Sequence, residues 1–167
     1  DFYQFDGSMP RLQLSKAALP MASNGYFVVV PDYVGYGTTY GLEHCFTYYP
    51  ELFKGNLDAV RATSALAEEL GLSTSGQLFL TGWSQGAGAA LSAQKYIEQL
   101  YKDEFNVAAS SSLSGPYDFG GFVDYILSRP NSYYLCISLY CWALYTLNRF
   151  SPYMQLVFLN KGYSHSL

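Results

Sequence analysis

The chain has 167 residues, half of them hydrophobic, 18% aromatic and only 13% charged, a balance that can bury one globular core and leaves little charged surface. Nine basic against thirteen acidic side chains give a net charge of -4, with no local cluster of Lys and Arg, which excludes nucleic-acid binding for want of cations to meet a phosphate backbone. Two histidines and three cysteines, Cys45, Cys136 and Cys141, provide neither the paired spacing of a zinc site nor an even disulfide framework, so no metal and no other cofactor is expected.

The sequence begins at Asp1, and no basic region followed by an apolar run and a small-residue cleavage site is visible. Leu12 to Ala22 has helical spacing and stops at Asn24-Gly25, where a left-handed residue suits a helix C-terminus. Tyr26-Phe27-Val28-Val29-Val30 is continuous, apolar and β-branched and ends at Pro31-Asp32, which reads as a strand buried on both faces. From Glu51 to Leu70, Leu57, Val60, Ser64 and Ala67 form one helical stripe, and Gly71 closes it. A second strand, Gln77 to Thr81, ends at Gly82, and a helix from Gln85 to Tyr101 follows, with Gly86, Ala87, Gly88 and Ala90 on its small side. Phe105 to Ser111 is a weaker third strand before the turn at Gly115-Pro116. Strands alternating with helices of this length need crossover connections, which predicts an α/β fold with a parallel sheet covered by helices on both faces.

Beyond Gly121 the strand signals fade and the sequence reads as helices that are apolar on nearly every side. Pro130 to Asn148 carries no charge between Arg129 and Arg149, long enough to raise the question of a membrane span. Asn131, Ser132, Ser138, Thr146 and several tyrosines make it a poor hydrocarbon span, and a buried or substrate-facing helix is expected instead. Cys136 and Cys141, five apart on such a helix, would lie about 8 Å apart, too far for an unstrained bridge. One bridge to Cys45 and three free thiols both remain open.

The motif with chemical content is Gly82-Trp83-Ser84-Gln85-Gly86, a G-x-S-x-G between a predicted strand and a predicted helix. A serine at a sharp strand-to-helix turn adopts a strained backbone, and side chains two residues to either side would collide with the flanking strand and helix. The turn exposes the serine hydroxyl above a helix N-terminus and aims the Gln85 backbone N–H at a developing oxyanion. The alternative is a serine that only caps the helix.

Several segments together resemble the α/β-hydrolase superfamily and, within it, the secretory-lipase-like esterases and lipases. They are Asn24 to Gly37 with its P-D-Y-x-G-Y-G turn, Asp58-Ala59-Val60-Arg61-Ala62, Thr81 to Gly88, and Ser114-Gly115-Pro116-Tyr117-Asp118-Phe119. The resemblance implies that residues 26–32, 77–82 and 106–112 are the fourth to sixth strands of that fold. It divides the chain into a partial hydrolase core, residues 1–119, and a helical cap or lid segment, residues 120–167. It also makes Ser84 the nucleophile and Gln85 the oxyanion donor, and it gives Trp83, Leu139 and Trp142 to the wall of an acyl pocket, the ligand being a lipid or other ester. Asp32, Tyr33, Gly35 and Gly37 are read as turn chemistry, and location tilts outward, to a secreted or periplasmic protein.

The rest of the machinery departs from the family. The superfamily order is Ser, then Asp or Glu, then His, and only His165 follows Ser84, near the end of the sequence and without a preceding acidic loop. His44 precedes the nucleophile and is read as structural, as are Asp118 and Asp124. The family's His-Gly oxyanion dipeptide is not found, and Asp6-Gly7-Ser8 is the nearest substitute. The expectation is therefore an internal piece of a longer enzyme, inactive alone because an unassisted serine hydroxyl is a weak nucleophile. A noncatalytic binding or scaffold protein on the same fold, or a serine peptidase, is the alternative. Nothing in the sequence fixes the oligomeric state.

Overall fold

The computed structural model describes residues 14–129 and 134–153. Its contacts fall into two units, one drawn from the chain up to Pro31 and from Ala59–Thr74, the other from Asp32–Asp58 and from Ser75 onward.

In the first unit the helix expected from Leu12 to Ala22 is split. A π-helical turn, Leu14–Ala18, runs into the short helix α1, Leu19–Ser23. Pro20 explains the break, because it has no N–H to give to the carbonyl four residues back and its ring crowds that carbonyl. α1 ends at Asn24-Gly25, where Gly25 N–H reaches Ala22 O at 3.0 Å, at the predicted place. Residues 26–32, expected to form the fourth strand, do not form one: the sheet among the described residues has two strands, and neither is this run. Tyr26, Phe27 and Val30 are exposed. β-branched composition suits a pleated surface, but a strand exists only where a neighbour supplies its ladder.

Helix α2, Tyr49–Glu69, begins in the second unit and ends in the first. Its end is a Schellman cap: Leu72 N–H donates to Ala67 O at 2.8 Å and Gly71 N–H to Glu68 O at 3.0 Å, placing the stop at the predicted glycine.

The second unit holds the sheet. Strand β1, Gln77–Trp83, passes through helix α3, Gln85–Leu100, to strand β2, Asn106–Leu113, and the two strands pair in parallel. Register runs from Gln77 opposite Asn106 to Trp83 opposite Leu113, with one irregularity between Leu78 and Phe79. Phe53 and Leu57 of α2 and Ala93 and Ile97 of α3 form the buried core, against which Leu78, Leu80 and Val107 pack from the sheet. Full burial of a Leu57 or Ile97 side chain stabilises by about 1.5–3 kcal/mol. Both helices thus cover one face. The other face carries Phe79 and Trp83 exposed, so the expectation of helices on both faces holds for one face only among the described residues. Period-2 alternation in β1 records that difference, one side half-buried and the next exposed.

Helix α4, Phe119–Leu127, is capped by Asp118, whose carboxylate accepts from Gly121 N–H at 2.9 Å. Helix α5 is Tyr134–Phe150. Among the described residues no helix is long and apolar enough to cross a membrane. Cys45, Cys136 and Cys141 are free thiols, which closes the alternative of a bridge to Cys45.

Candidate active site

Ser84 stands between β1 and α3 with φ 56 and ψ −120, a backbone conformation that only glycine adopts without strain. What holds it there is visible on both sides. Its N–H donates to Leu113 O at the end of β2 at 2.9 Å, and its C=O accepts the first turn of α3 from Ala87 N–H at 3.0 Å. The side chain caps nothing, making no hydrogen bond to the helix start, and the residue is exposed. A serine serving only as a helix cap would use its hydroxyl to satisfy one of those amides. The Gln85 N–H, at the first helical position, donates to no backbone acceptor among the described residues, as helix geometry requires of the opening turn.

The two flanking glycines differ. A Cβ on Gly82 would run into the backbone of Gly86 and Ala87, so the turn closes only with glycine there. At Gly86 it would meet nothing nearer than Tyr33 Oη at 3.7 Å, an ordinary contact, which corrects the sequence-based expectation that both positions collide. The crowded second glycine is Gly88, where the Tyr49 ring occupies the space a side chain would need. Burial, followed by the neighbouring Tyr33 and Tyr117, pushes the Tyr49 hydroxyl up, and burial alone pushes Tyr33 up.

His44 lies behind the elbow, 9% exposed. Its Nδ1 is 2.8 Å from Val34 O, and its Nε2 is 2.7 Å from Gln85 Nε2, which also donates to Phe46 O at 2.8 Å. Burial holds the imidazole below its ordinary value, against the raising effect of the bond to Val34. The P-D-Y-x-G-Y-G turn packs on the same residue: a Cβ on Gly35, whose φ is 95, would touch His44 Cβ at 2.9 Å and Leu42 O at 3.0 Å. Thr39 Oγ1 accepts from Gly35 N–H at 3.0 Å and donates to Tyr36 O at 2.8 Å.

Residues 43–46 also seat α5. Trp142 stacks flat on Phe46, with ring centroids 4.0 Å apart, and lies tilted 5.7 Å from the His44 ring. Glu43 accepts from Tyr145 Oη at 2.5 Å and from Arg149 Nε at 2.7 Å, and these bonds hold its carboxyl below the usual carboxylate range. Thr146 is wholly buried on the same helix.

Of the expected pocket residues, Trp83 is 75% exposed next to Ser84, Leu139 is half-buried on α5, and Trp142 has one face committed to Phe46. His165 and Asp6-Gly7-Ser8 lie outside the described residues. The residue that sequence reasoning undervalued is Gln85: its backbone N–H was anticipated, but its carboxamide, which ties the elbow to His44 and Phe46, was not. A long amide at the first position of an otherwise small, apolar helix face is the signal that could have pointed there.

Among solved structures, a protein from Legionella pneumophila described as a candidate hydrolase is similar over 78% of this chain, with 24% identity and a TM-score of 0.68, and the match covers 34% of that protein. The rice cell wall degrading esterase LipA from Xanthomonas oryzae matches 51% of this chain at 33% identity and a TM-score of 0.49, over 22% of its own length. The chain therefore spans about a third or less of these structures. A comparison with curated proteins finds no match. The sequence profile of the secretory lipase family matches residues 12–117, a range that takes in the P-D-Y-x-G-Y-G turn, the strained Ser84 and the crossover that frames it, and the chain belongs to that family.

Proposed function

We propose that this chain carries the nucleophilic half of a serine carboxylic-ester hydrolase. The observation that carries the reading is Ser84 itself: a non-glycine residue held at φ 56 with an exposed, uncommitted hydroxyl at the N-terminus of a 16-residue helix. Strain of this kind costs about 1–3 kcal/mol and persists where function requires it. In the proposed reaction Ser84 Oγ attacks the ester carbonyl while a histidine takes its proton, and the Gln85 N–H donates to the tetrahedral oxyanion. The intermediate collapses by expelling the alcohol, which takes the proton back from the histidine, and water then cleaves the acyl–Ser84 ester to give the carboxylic acid and restore the serine hydroxyl. His44 is not that base, since both of its nitrogens are already in hydrogen bonds.

In the same reading the helical segment beyond Gly120 serves as the cap, and Trp83, Leu139 and Trp142 border the acyl chain. Trp83 is the best supported of the three by exposure. A secreted location follows the family's character and is part of the proposal. The test is hydrolysis of p-nitrophenyl esters of graded acyl length by the natural protein at its full length, base included, and by its Ser84→Ala variant. The reading expects turnover favouring medium or long acyl groups and a loss of about 10⁶-fold in the variant. Equal turnover by both proteins would overturn it.

A further inference from the structure

The hydrogen bonds around His44 assign their own protons. Val34 O can only accept, so Nδ1 carries the hydrogen. Phe46 O can only accept as well, so the Gln85 carboxamide presents its NH2 there and to His44, and His44 Nε2 must be an acceptor. The imidazole is therefore the neutral Nδ1–H form, placed between a carbonyl of the turn after Asp32 and an amide that grows from the elbow.

We propose that His44 and the Gln85 carboxamide act as a strut that fixes the Gln85 main-chain N–H at the oxyanion position, His44 being a positioning residue that acts through Gln85. The proposal rests on the reading of Ser84 as nucleophile. Two bonds, 2.7 and 2.8 Å, anchor the Gln85 carboxamide to His44 and Phe46, and the strained Ser84 precedes it in the chain. Fixing a donor before charge develops is what makes an oxyanion site effective, because reorientation then costs nothing during reaction. The rings of Tyr33, Tyr36, Phe46 and Trp142 enclose the imidazole, keeping the strut dry and its hydrogen bonds strong.

The experiment compares the rate of fluorophosphonate labelling at Ser84 in the natural protein and in His44→Leu, Gln85→Met, the double variant, and His44→Gln. A glutamine at 44 has an N–H for Val34 O and an oxygen for the Gln85 NH2, so it can rebuild both bonds. Expected are roughly tenfold slower labelling in each single apolar variant, no further loss in the double variant, and His44→Gln within about threefold of the natural protein. Long-range proton–nitrogen NMR of the natural protein should also report the Nδ1–H form of His44, whatever the activity. Should His44→Leu or Gln85→Met unfold, His44→Gln and the NMR assignment still decide the question. Labelling of all variants at the natural rate, additive losses, or an Nε2–H or protonated imidazole at neutral pH would overturn the strut. Failure of the natural protein to label at all would instead overturn the nucleophile reading.

Discussion

The elbow at residues 82–88 and the run at residues 26–30 were equally plain in the sequence, and they fared differently in the structure. The elbow is specified by short-range exclusion: Gly82 is required by the backbone of Gly86 and Ala87. Nothing distant has to arrive for the bend to be dictated. The run from Tyr26 to Val30 has the composition of a buried strand, but its identity depends on a neighbouring ladder, and among the described residues it has none. Steric rules written within a few residues are legible from those residues, whereas pairing is a property of two segments at once.

The contrast can be broken at several points, taken here from the largest expected effect downward. Gly82→Ala should destabilise the protein by about 3 kcal/mol in urea unfolding, because the new methyl group meets backbone rather than a yielding side chain. A loss below about 1 kcal/mol would mean the bend can open. Ser84→Gly should be more stable than Ser84→Ala by about 1 kcal/mol, since only glycine relaxes at φ 56 and ψ −120. Equal stability would remove the strain from the account.

A pH effect on stability should follow from His44. Its folded-state value lies below the ordinary 6.5 because burial disfavours the charged ring, so as pH falls below about 6.5 the unfolded chain takes up the proton before the folded one does. Stability is then fully present above 6.5 and declines as pH falls toward the depressed value. His44→Gln should flatten this decline in a series of melting temperatures across that range, and an unchanged slope would contradict the assignment. Smallest of all, Val30→Ser should alter stability by no more than about 0.5 kcal/mol, Val30 being exposed. A loss near 2 kcal/mol would show the run packed in a ladder in solution and would erase the contrast.

Much of the rest was readable for the same reason as the elbow. The helix stops at Asn24-Gly25 and Gly71, the two paired strands and their parallel sense all follow from local punctuation or from connection length. What escaped was lateral. The Gln85 carboxamide bonds a residue 41 positions away, and Glu43 bonds Tyr145 and Arg149 across 102 and 106 positions. No periodicity encodes such partners. Trp142 illustrates the same limit: its apolar character was evident, but that one of its faces lies on Phe46 depends on where α5 comes to rest.

The most direct test is to locate a fluorophosphonate adduct by mass spectrometry on the natural protein, folded and then urea-unfolded. A strained, exposed nucleophile over a prepared amide predicts an adduct on Ser84 in the folded protein and its absence after unfolding. Labelling spread over other serines, or no adduct on Ser84 in the folded protein, would contradict that prediction.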